Sequence, residues 1–81
     1  MKVFTNSLAQ RIHKILFPLI GDLMSANILK VQCKKIGIDE ESINVNHLPQ
    51  LAEGIKLGLI LFLGTDASSQ VEQKIINLGN L

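Results

Sequence analysis

Aliphatic side chains crowd this short chain: 24 of its 81 residues are leucine or isoleucine, and it contains no tryptophan or tyrosine. Small domains shelter less of their surface than large ones, about 60% of what the unfolded chain exposes at roughly 60 residues. The chain therefore carries more apolar side chain than one monomeric core hides. A protein partner is expected to cover the remainder, most simply a second copy in a homodimer or higher assembly, or a larger protein. The length admits one domain, residues 1–81, and is too short for a β/α barrel or a complete dinucleotide-binding fold. An apolar fraction of 47% with a formal net charge of +1 excludes intrinsic disorder.

Apolar spacing and punctuation predict four helices and hence an all-α fold, a compact irregular or orthogonal four-helix bundle. The first spans about 7–16, with Leu8, Ile12, Ile15 and Leu16 on one face, Asn6 or Ser7 as cap, and Pro18 ending or kinking it. The second runs from Pro18 to Ile36 and carries two adjoining stripes: Ile20, Met24, Ile28 and Val31, then Leu19, Leu23, Ala26, Leu29 and Cys33. Lys34 and Lys35 suit its C-terminal end and Gly37 its stop. In the connection 38–46, Asp39 reads as the cap of a short turn, with Ile38, Ile43 and Val45 facing the core. The third helix spans about 47–63, capped by Asn46, with Pro49 in its first turn and Leu48, Leu51, Ala52, Ile55, Leu59 and Phe62 on its inner face. The apolar run 59–63 also suits a strand, but the inner-face spacing continues through it and favours helix. Gly64 ends that helix. Thr65 or Asp66 caps a fourth that runs to about Leu78 and turns Ala67, Val71, Ile75 and Leu78 inward. No internal repeat is apparent.

The chemistry-bearing residues are few. Cys33 is the single cysteine, which excludes an intramolecular disulfide and points to a reducing cytoplasm. The opening MKVFTNSLAQR makes a poor signal peptide, and no apolar run approaches the 18 residues of a membrane span. Cys33, His13 and His47 fall on different predicted elements without the spacing of a catalytic set, so no enzyme is expected. One cysteine and two histidines do not form a paired zinc motif, the turn Asp39-Glu40-Glu41 lacks the alternation of a calcium loop, and no cofactor is implied. Neither Gly21-Asp22 nor Gly64-Thr65-Asp66 reads as a phosphate-binding turn: the first lies inside a predicted helix, and the second sets a carboxylate where the anion would sit. The length suits an acyl carrier protein, but in Gly21-Asp22-Leu23-Met24-Ser25 the serine does not follow the aspartate, and the chain is not strongly acidic.

Two surfaces remain as candidates. From Leu57 onward the far side of the third helix turns apolar through Leu57, Ile60 and Leu61, and an end apolar on all sides must be covered twice. Gly54 and Gly58, four apart on the same helix, each cost roughly 1 kcal/mol against alanine, which close approach of another backbone would compensate. Gly54, Leu57, Gly58, Ile60 and Leu61 are thus the expected interface. The second surface is basic. Residues 1–36 hold six basic side chains against Asp22, or +5, whereas residues 37–81 hold two against six acidic ones, or −4. Arg11, Lys14, Lys30, Lys34 and Lys35 form the basic set, and the alternative function is a small nucleic-acid-associated regulator that uses them on phosphates. A net charge of +1 gives that alternative little counterion-release drive.

Overall fold

The structure, a computed structural model, describes residues 4–80. It is all-helical, with no strand among the described residues. Helix α1 (Ser7–Lys35) leads through two 3-10 turns, Glu40–Ser42 and Val45–His47, into helix α2 (Leu48–Asn77), and a third 3-10 turn, Leu78–Asn80, follows. The expected four-helix bundle is corrected: there are two long helical elements packed on each other, and each is broken internally at one glycine, Gly21 in α1 and Gly64 in α2.

Both glycines adopt almost the same backbone, φ 83° with ψ 174° at Gly21 and φ 80° with ψ 172° at Gly64. That region is open essentially to glycine alone. A single residue thus redirects each helix without an intervening loop. Pro18, expected to end the first helix, sits inside α1, and the break falls three residues later. In α2 the position three before the break is Leu61, so proline is not what makes the break. Thr65 is already helical, so neither it nor Asp66 follows a free cap position: the second arm of α2 starts directly after Gly64.

The breaks expose an internal repeat that the linear sequence conceals. Gly21 and Gly64 are 43 positions apart, and at that offset residues 8–25 and 51–68 agree at Leu8/Leu51, Ala9/Ala52, Ile12/Ile55, Leu16/Leu59, Gly21/Gly64 and Ser25/Ser68. Ala9/Ala52, Ile12/Ile55, Leu16/Leu59 and Ser25/Ser68 are fully buried in both halves, and Leu8 is half-buried where Leu51 is buried. The agreement is confined to core positions and the break. Exposed positions between them share nothing, which is why no contiguous match is visible.

The caps follow local chemistry. Asn6 Oδ1 accepts from the Ala9 N–H at 3.0 Å, as expected. At the other end of α1, the N–H of Ile38 donates to the Cys33 carbonyl and that of Gly37 to the Lys34 carbonyl, the paired closure of a Schellman motif. Asp39 caps the first 3-10 turn by accepting from the Glu41 N–H at 3.0 Å. Asn44, not Asn46, caps the chain ahead of α2: its side chain accepts from the Asn46 N–H, while its own N–H donates to His47 Nδ1.

Glu41 ties the connection back to the start of α1. Its carboxylate accepts from the Thr5 hydroxyl, the Thr5 N–H and the Asn6 N–H, the last at 2.8 Å, and Asn6 Nδ2 donates to the Glu41 and Ile43 carbonyls. The Thr5 hydroxyl, with the two backbone N–H groups behind it, holds this carboxyl below the usual carboxylate range. A carboxyl lowered in the folded state stabilises the fold above its unfolded pKa, and that contribution is lost as pH falls through the folded pKa. Melting temperatures of wild type and Glu41→Gln are therefore expected to differ most near neutrality and to converge on acidification. A gap unchanged down to about pH 2 would show that the carboxylate charge is not what holds this junction.

The core joins Ala9, Ile12, Leu16, Leu29 and Cys33 of α1 to Leu48, Leu51, Ala52, Ile55, Leu59, Val71 and Ile75 of α2, with Phe4 and Ile43 closing it. Several side chains expected inside lie outside: Leu19, Leu23, Met24 and Val31 of α1, Val45 of the connection, and Phe62 of α2. For Leu19, Leu23 and Met24 the reason is the break at Gly21, which ends the helical register that had aligned them with the inner stripes.

Candidate functional site

The expected interface residues divide. Leu57 and Leu61 project into solvent, whereas Ile60 is half-buried. Leu57 and Leu61 are one turn apart on the first arm of α2, with exposed Glu53 one turn earlier, so the three share a stripe. Exposed Phe62 adjoins it just before the break. Sequence reasoning missed Phe62 because its spacing matches the inner face up to Leu59. The stripe ends at the break because the chain changes direction there.

Gly54 and Gly58 serve packing inside the chain. A Cβ on Gly54 would overlap Gln32 Oε1 of α1 and lie 2.8 Å from its Cδ; one on Gly58 would meet Ile28 Cδ1 of α1 at 3.6 Å, an ordinary contact. Gly54 thus permits the close approach of Gln32 from α1, whereas at Gly58 a side chain would meet α1 at ordinary distance. Gly58→Ala is accordingly expected to raise stability by about 0.5–1 kcal/mol through helix propensity. Gly54→Ala is expected to fall short of that gain, because Gln32 must leave its buried place. Denaturant titration of the two variants measures the difference, and equal gains would show that Gln32 does not fill the space at Gly54.

A second feature lies at the first break. His13 Nε2 stands 3.0 Å from Asp22 Oδ1, a pair that spans Gly21 from one arm of α1 to the other. The His13 ring is also set between Phe4 and Phe17, with ring centroids 5.6 and 5.9 Å away. Beside it His13, Lys14, Phe17 and Pro18 line an open, apolar groove of about 420 Å³. The ring contacts with Phe4 and Phe17 pack one wall of that groove.

The catalytic and metal candidates are not drawn together. Cys33 is buried, and burial, with Glu40 and Asp39 adding to it, pushes its thiol up to about 11, so that it stays protonated at neutral pH. His47 is engaged as acceptor for the Asn44 N–H. No group of three His, Cys, Asp or Glu side chains among the described residues is arranged to hold a metal. The basic residues Arg11, Lys14, Lys30, Lys34 and Lys35 are all exposed, Lys30 and Lys34 one turn apart. Both helical elements are apolar enough to cross a membrane by length and composition. The breaks shorten them, however: the longest arm, 48–63, has 16 residues, about 24 Å at 1.5 Å per residue against a hydrocarbon core of about 30 Å.

The fold and these two surfaces describe a small all-helical protein built from two glycine-broken helices. No protein-family model, curated protein or solved structure matches the chain.

Proposed function

We propose that the chain is a non-enzymatic helical protein-interaction module that associates through the apolar stripe at the second break, with Leu57 and Leu61 as contact residues and Ile60 and Phe62 beside them. One observation carries the reading: Leu61 is 93% exposed, between Leu57 at 62% and Phe62 at 63%. Single exposed apolar residues are ordinary, but three large ones grouped on one short stretch form a patch of the kind that marks an interaction site. The helix beneath is anchored by Ile55 and Leu59, both fully buried, so the patch is presented on a firm support.

Sedimentation equilibrium of the full chain tests this. Wild type is expected to run heavier than one 8.9 kDa chain and Leu61→Glu as a single chain. Leu61 is a better site for the charge than half-buried Ile60, where a carboxylate would also disturb the core. A wild type that stays monomeric at high concentration, with a Leu61→Glu variant that gains nothing in solubility, would overturn the reading.

A nucleic-acid-associated regulator is the second reading, supported by the exposure of all five residues of the basic set. It requires a mobility shift on duplex DNA that weakens with salt. No shift at low salt removes it.

A further inference from the structure

The repeat places unlike surfaces at equivalent positions in the two halves. At the 43-residue offset, Gln10 corresponds to Glu53, Lys14 to Leu57, Pro18 to Leu61 and Leu19 to Phe62. The first half thus carries a groove with Lys14 in its lining, and the second half an apolar projection with Glu53 two turns before Leu61. The halves also differ in sign as wholes, +5 for residues 1–36 against −4 for residues 37–81. Leu61 stands 93% exposed, so it does not occupy the groove of its own chain.

We propose that the groove lined by His13, Lys14, Phe17 and Pro18 in one copy receives Leu61 and Phe62 of a second copy, with Lys14 set against Glu53. The inference rests on the self-association proposed above and names the surface that the stripe meets. Four observations support that choice of occupant. The groove is apolar and, at about 420 Å³, has room for two large apolar side chains. Its wall includes His13, already packed between Phe4 and Phe17, so little ordering is lost on filling it. Glu53 lies two turns before Leu61 on the projecting stripe and Lys14 one turn before Pro18 on the groove, so a charge of opposite sign stands on the N-terminal side of each apolar contact. The opposite signs of the two halves favour groove against projection and oppose groove against groove. Exchanged reciprocally by two copies, the contact closes as an isologous two-fold dimer; made one way only, it is heterologous and extends to larger assemblies.

Charge exchange at low ionic strength tests the pairing. Lys14→Glu sets two acidic rims against each other, and Glu53→Lys sets two basic ones. Each is expected to weaken self-association about tenfold, and the double variant Lys14→Glu/Glu53→Lys to restore it to within about threefold. An equimolar mixture of the two single variants is expected to associate more tightly than either alone, because both groove-to-projection contacts of a mixed pair join opposite charges. The three positions altered in the two sets of tests, Lys14, Glu53 and Leu61, are all exposed, and helical circular dichroism checks that folding is unchanged. If Leu61→Glu dissociates the assembly but neither the double variant nor the mixture regains affinity, the groove is not the receiving surface, although self-association through the stripe stands. If the wild type is itself monomeric, self-association fails with it.

Discussion

Leu59→Ala is expected to cost about 2–5 kcal/mol of folding free energy, and Leu61→Ala, two residues further along the same helix, less than about 0.5 kcal/mol. Leu59 is fully buried between the two helices, so its loss removes transfer free energy and leaves a cavity that the surrounding Ile and Leu side chains fill only in part. Leu61 stands in solvent and has almost no intramolecular contact to lose. The contrast matters for function. A leucine that contributes nothing to folding yet is held in water is a candidate for contact with another molecule. If the proposed association is real, Leu61→Ala separates the two properties: unfolding in dilute solution is nearly unchanged while self-association weakens. Chemical denaturation followed by circular dichroism, at a concentration where the chain is dissociated, gives the folding term. A large destabilisation by Leu61→Ala under those conditions would mean that Leu61 packs within its own chain and would remove it from the proposed interface.

Gly64→Ala and Gly21→Ala are each expected to destabilise by about 1–3 kcal/mol, although no atom outside the neighbouring residues lies within 4 Å of where a Cβ would sit at either position. The cost is conformational. At φ near +80° and ψ near 172° a side chain clashes with its own backbone, so open surroundings do not help. The contrast with Gly58→Ala is the internal control. Gly58 is helical and its substitution is expected to stabilise, so three glycine-to-alanine changes in one small protein should differ in sign according to backbone conformation alone. Pro18 gives a further comparison. Because α2 breaks at Gly64 without a proline three residues before it, Pro18→Ala is expected to leave the break at Gly21 in place. If Gly21→Ala and Gly64→Ala both raised thermal stability, the two helices would run straight through and the fold described above would be wrong.

Much of the helical content was legible because it is written locally. The caps at Asn6 and Asp39, the stop at Gly37 and the inner stripes Ile12–Leu16 and Leu51–Ala52–Ile55–Leu59 depend on residues within a turn or two of each other. Gly21 was misread as a helix-interior residue because Pro18, nearby, is the stronger breaker in isolation. The stripe Leu19–Leu23 was misread as core for the same reason, since helical spacing counts residues as if no break intervened. At the candidate site, Leu57 and Leu61 were visible as apolar residues on the wrong side of a helix. The groove at His13, Lys14, Phe17 and Pro18 was not, because it arises where α1 bends and Asp22 comes back within 3.0 Å of His13.

Amino-acid order alone settles that the chain is helical, that α1 is capped at Asn6 and stopped at Gly37, and that the chain carries excess aliphatic surface: capping, periodicity and composition act over one or two turns. Which of those aliphatic side chains face water, that Gly54 makes room for Gln32, and that two halves 43 residues apart share one plan are decided in three dimensions. The reason is physical. A single glycine at positive φ rotates everything beyond it, and the burial of each later residue then depends on the packing of α1 against α2 rather than on its neighbours in the chain.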